Sequence, residues 1–199
     1  WTAPTYSPLL HCFKGEAMAR VRLLVDPETA AAAAAAVSGR LAPPTHAVVK
    51  GNVKKWMQVL EISDCNAEIK TENDKESGLP DTRTSFTVKF IVPPDVDSSD
   101  PNNGRPFTQW YDIREEAFHN PSHPRYKGTN YAIGRLNSLL RATGFEVPHG
   151  EMADFGEFLS ADEGERSQVV GLRVNALIRE YEDNNGQLRQ TVDDFLPAD

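Results

Sequence analysis

Cysteine is scarce: Cys12 and Cys65 stand far apart in 199 residues, too few and too scattered for a disulfide framework. Reduced thiols in a cytoplasmic protein are the reading that follows. No apolar run approaches the roughly 18 residues that cross a membrane, and the mean hydropathy of −0.49 fits a soluble globular chain. Catalytic signatures are missing as well. There is no Gly-x-Ser-x-Gly elbow, no Gly-x-x-x-x-Gly-Lys-Ser/Thr phosphate loop and no Cys–His arrangement. His119 and His123 have metal-like spacing, but Pro121 and Pro124 prevent the helix that presents such pairs, and no third ligand is evident. The carboxylates lie mostly in loops or exposed runs, with no reason for raised pKa values. These absences point to a protein that is not an enzyme, holds no cofactor or metal, and works through a surface.

A basic excess is also lacking, since the net charge is −8. The deficit is uneven. Residues 151–199 hold 4 basic and 12 acidic residues, whereas residues 101–150 hold 6 and 4. Evenly spread, the negative total would argue against phosphate binding. Concentrated at one end, it leaves the middle of the chain free to carry a basic groove.

Residues 1–44 read as an N-terminal extension. Trp1 to Lys14 has no clear period and lacks the pattern of a signal peptide, and Met18-Ala19-Arg20 is a candidate start. Asp26-Pro27-Glu28 opens a short helix through Ala30 to Ala36. From residue 45 the chain becomes strand-like, at Ala47 to Val53 and Trp56 to Ile69, one long or two broken strands. Glu72 to Thr84 reads as a loop. Ser85 to Val92 alternates with Phe86, Val88, Phe90 and Val92 on one face, and Phe107 to Arg114 does so with Phe107, Tyr111 and Ile113 inward. Asp95 to Arg105 and Phe118 to Lys127 are polar loops. Thr129 to Thr143 predicts the main helix, with Ile133, Leu136 and Leu140 at helical spacing and Gly144 as its stop. Val169 to Tyr181, the turn Asn184-Asn185-Gly186 and Gln187 to Phe195 form a hairpin. The expected fold is mainly β with one main helix (α+β), a partly closed antiparallel barrel of the oligonucleotide-binding type over residues 45–199.

The order of motifs resembles a family: the phage and prophage single-stranded-DNA-binding proteins, whose domain was long catalogued as one of unknown function. The resemblance rests on Ala67-Glu68-Ile69-Lys70-Thr71, Phe86 to Phe90, Gly104-Arg105 with Phe107 to Ile113, Leu136 to Gly144, Gly171 to Ala176, and Thr191 to Pro197. It covers roughly residues 45–197 and departs in the Ala-rich extension and the long loops. It implies an OB-fold-like domain that coats and protects single strands, without reading sequence, in a phage-type replication or recombination system. Acidic tips carrying an aromatic recur in that family and recruit replication partners; here Asp193, Asp194 and Phe195 match them.

A strand-binding face needs rings to stack on bases and cations for phosphate. If the apolar faces point inward, Lys89, Trp110 and Arg114 face outward. Lys54, Lys55 and Trp56 form a second basic-aromatic cluster, whose other reading is a solvated strand end with Trp56 in the core. Arg83 and Arg105 sit on loops that could clasp a strand, and Arg173 and Arg179 mark a further wall of the groove. The alternative function is a non-enzymatic structural or assembly protein, such as a virion component, using the acidic surface and N-terminal arm for protein contacts. DNA against RNA and the oligomeric state, homo-oligomer included, stay open at this point.

Overall fold

The computed structural model describes residues 39–73, 80–147, 155, 159 and 167–198. The expected Ala-rich helix and Cys12 lie outside them. The described chain runs β1 (Val48–Lys50), β2 (Val53–Asn73), β3 (Pro80–Ile91), β4 (Pro106–Arg114), α1 (Glu115–Phe118), α2 (Tyr126–Ala142), β5 (Arg173–Glu182) and β6 (Leu188–Pro197). All pairings are antiparallel in one six-stranded sheet of order β4-β3-β2-β5-β6, with β1 added to β2. The described residues are thus mainly β with few helices.

β2 organises the sheet. Its N-terminal half pairs with β5 and its C-terminal half with β3, so one strand of 21 residues passes between two partners. A register shift at Ser63 marks the handover, and a second one places Asp193 as an extra residue in β6. Such bulges bend a strand and increase its twist. The sheet does not close, because β4 and β6 form no ladder with each other.

Helix α2 lies across both of these edge strands. Its stripe of Ala132, Ile133, Leu136, Leu139 and Leu140 is buried. It meets the sheet's inner residues Leu60, Ile62, Val88, Phe90 and Ile178 in one core. Each such side chain contributes roughly 1.5–3 kcal/mol by leaving water. Phe90 is the hub, within 6.4 Å of the Phe107 ring centroid and 5.8 Å of that of Phe195. The helix also satisfies the free edge of β6. The Tyr131 hydroxyl donates to Val192 O at 3.1 Å, and Ser138 Oγ accepts from Phe195 N at 3.0 Å. From β4, Gln109 Oε1 accepts from Val192 N at 3.3 Å. An edge strand with its polar groups so occupied does not template aggregation. Gly144, at φ +91°, ends α2, with Gly144 N bonded to Arg141 O and Phe145 N to Leu140 O. A left-handed residue at that position favours glycine.

Three departures from the sequence reading matter. Glu72 to Thr84 was expected to be a loop, yet β2 reaches Asn73 and β3 starts at Pro80. This end of the hairpin extends past the core, so both its faces are polar and no alternation betrays it; Ile69 there is 72% exposed. β5 begins at Arg173 rather than Val169, because Gly171 (φ +88°) turns the chain just before it. The core reaches back to Leu41, which is fully buried. Gln190 holds that residue, accepting from Leu41 N at 2.8 Å and donating to its carbonyl at 2.7 Å.

Candidate nucleic-acid interface

The register of β2, β3 and β4 sets side chains in rows on the outer surface. One row joins Asp64, Lys89 and Thr108, the next Asn66, Thr87 and Trp110, the next Glu68, Ser85 and Asp112, and the last Lys70, Arg83 and Arg114. Trp110 is 68% exposed in mid-strand, between buried Gln109 and Tyr111. A large apolar ring held in water by a rigid strand is an open stacking surface. Around it the surface is hydrogen-bonded and mixed in charge. Lys89 Nζ meets Asp64 at 2.8 Å, Ser85 Oγ donates to Asp112 at 2.6 Å, and Arg83 lies 3.8 Å from the same Asp112 carboxylate. Lys70 meets Glu68 at 2.8 Å. Arg114 is half-buried at the end of β4.

On the other half of the sheet the expected cations are engaged by carboxylates. Lys55 Nζ lies 2.6 Å from Asp193 Oδ2, and Arg179 Nε reaches the same carboxylate at 3.5 Å. Lys54 meets the buried Glu180 at 3.4 Å, which Arg40 also approaches at 3.6 Å. Arg173 grips Asp95 with two bonds of 2.8 and 2.9 Å and adds Glu61 at 3.0 Å. That grip holds the Asp95 carboxyl below its ordinary range. Arg105 lies in the β3–β4 connection, its backbone bonded to Val92 and Asn102.

Two sequence expectations need correction here. Trp56, read as part of a basic-aromatic binding cluster, is 3% exposed with its ring in the core. It shares the inward parity of Leu60, so it offers no face to a base. Asp193, Asp194 and Phe195, read as a partner-binding acidic tip, are internal residues of β6. Asp193 is the bulge residue between two cations, Asp194 accepts from Ser138 Oγ at 2.5 Å, and Phe195 is 3% exposed. Their side chains hold the strand to the sheet and to α2.

The sequence reading missed Asn66, the β2 row-mate of Trp110, and which carboxylates meet the cations. Only cross-strand register brings these together, and no local pattern announces it. Of the metal-like pair, His123 belongs to the turn before α2, where its Nδ1 accepts from Arg125 N at 3.0 Å. Among the described residues no group of three or more metal-ligating side chains gathers, and no helix is long and apolar enough to cross a membrane. Cys65 is buried, and burial raises its thiol pKa to about 12, which leaves it an inert core group. Compared with protein-family models, curated proteins and solved structures, the chain matches none.

Proposed function

We propose that the protein binds single-stranded DNA, without reading its sequence, on the outer surface of β2, β3 and β4. The observation that carries this reading is Trp110, exposed at the centre of a polar, hydrogen-bonding sheet surface. A base stacks on its ring, while Lys89 and the Lys70–Arg83–Arg114 row lie within a side chain's reach for phosphate. The strand order, with α2 lying over the opening between β4 and β6, supports a five-stranded, partly closed barrel of the oligonucleotide-binding type with β1 appended. The resemblance in motif order adds the setting, phage-type replication or recombination in a host cytoplasm.

Intrinsic tryptophan fluorescence tests the proposal. Titration with oligo(dT) at two salt concentrations quenches the wild type, and the quenching weakens with salt. In a Trp1→Phe background, Trp110→Phe largely abolishes the quenching, because the remaining Trp56 is buried. Oligo(U) in the same assay separates DNA from RNA preference. Absence of any response favours the alternative, a non-enzymatic assembly or interaction protein. The exposed Val48 and Val49 on β1 give that second reading its own support.

A further inference from the structure

The sheet has a gap along one side of β2. β1 pairs with Val53 to Lys55, and β3 takes over only at Glu61, so Trp56 to Leu60 are laddered toward β5 alone. Alternation decides which groups face the gap. Ile62 bonds on the β5 side, its N–H to Leu172 O at 2.9 Å and its carbonyl to Gly171 N at 2.8 Å. Leu60, Gln58 and Trp56 share that parity. Lys55 and Glu61 have the opposite parity and face β1 and β3, so Met57 and Val59 between them direct N–H and C=O into the gap. Among the described residues nothing on that side hydrogen-bonds to them.

The gap opens on a cavity of about 570 Å³. Met57 and Val59 line it together with Pro43, Pro44, Pro93 and Pro101, which as prolines carry no competing N–H. Its walls are pinned open. The Asn102 side chain accepts from Ala42 N at 2.6 Å and donates to Ala42 O at 2.9 Å, and Gln58 donates to Asp100 at 2.7 Å. Asp97 and Asp100 also line the cavity beside His46, and among the described residues their bonds come from neutral groups, Ser99, Gln58 and Asn102, with no Lys or Arg paired to either. Such an opening repels phosphate and attracts Lys or Arg.

We infer that this gap is a docking slot for an extended, basic segment of a partner protein, which joins β2 as the missing strand between β1 and β3. Main-chain bonds to Met57 and Val59 hold the segment, an alternate side chain enters the cavity against Met57 and the prolines, and a cation meets Asp97. From Lys55 to Glu61 the slot spans about 20 Å at roughly 3.3 Å per residue, room for about five residues. The proposal is independent of strand binding, because it uses the edge of β2 and not the surface around Trp110.

Hydrogen exchange and amide shifts on the full chain test it, with the acetylated peptide amides Val-Arg-Val-Lys-Val and Val-Glu-Val-Glu-Val as probes. In the free protein the Met57 and Val59 amides exchange fast. The basic peptide shifts and protects them, and the acidic one does not. Asp97→Asn keeps an oxygen for the Ser99 turn and weakens the basic peptide about threefold, the worth of one exposed charge pair. Val96→Arg sets the chain's own cation at the mouth and weakens it further. Equal response to both peptides, or amides already protected in the free monomer, overturns the proposal. So does protection that appears only as protein concentration and sedimentation coefficient rise together, which assigns the slot to a second copy.

Discussion

Two halves of the outer sheet surface carry cations at similar density and use them differently. On β2, β5 and β6, Lys55 and Arg179 share Asp193, whose side chain is only 11% exposed, and Arg173 makes three bonds to two carboxylates. On β2, β3 and β4, Lys89 and Asp64 are both more than half exposed. A pair in water is worth about 0–1 kcal/mol, so Lys89 can leave it for a phosphate at little cost. Withdrawing Lys55 would leave a nearly buried carboxylate without its closest partner, which is far more expensive. For Lys55 and Lys89 the burial of the carboxylate opposite makes the difference, whereas Arg173, whose partners are more exposed, is held by three bonds to two carboxylates.

The largest effect tests whether β6 is structure throughout. Phe195→Ala removes a buried ring stacked on Phe90 and should cost about 3–5 kcal/mol in urea unfolding, with an unchanged slope. A loss under 1 kcal/mol would mean that the end of β6 frays and that its acidic residues act as a tip after all. The next effect belongs to the other half. Trp110→Ala should weaken oligo(dT) binding by about 1–3 kcal/mol at any salt concentration, while stability stays within about 0.5 kcal/mol as for other surface changes. If stability falls and affinity holds, Trp110 is packing rather than platform.

Much of this was legible in the sequence, for physical reasons that differ by region. β3 and β4 were readable because each buries one face, so Phe86, Val88 and Phe90 alternate with polar residues. α2 showed itself by its stripe and its glycine stop. The far end of the β2–β3 hairpin did not, because neither face is buried there and backbone pairing leaves no trace in side-chain pattern. The outward direction of Trp110 followed from the same alternation, since its strand neighbours are core residues. The engagement of Lys55, Arg173 and Arg179 did not follow. Their partners lie on other strands or loops, and the bulge that aims Asp193 at two cations is invisible locally.

Salt dependence sharpens the contrast between the halves. Lys89→Ala should lower the slope of log affinity against log salt by about 0.7, one released counterion on a single strand. Lys55→Ala and Arg173→Ala should leave that slope unchanged, because those cations already hold carboxylates. Equal decreases for all three variants would place the strand across both halves and break the distinction.

The smallest effect concerns the pH response of the occupied half. Hydrogen bonds from Arg173 are the leading cause of the low Asp95 pKa. A carboxyl depressed in the folded state contributes stability above its unfolded value, near 3.9, and loses it as pH falls through the folded value. The Asp95–Arg173 contact should accordingly persist at neutral pH and open only in acid. In Arg173→Ala, a carboxyl-detected NMR titration should show Asp95 moving up toward the ordinary aspartate range. Asp97 is an internal control two residues away: its own low pKa comes chiefly from Ser99, so it should not move. An Asp95 that titrates identically in both proteins would mean that Arg173 is not held by it, and would return that guanidinium to the cations available for a phosphate.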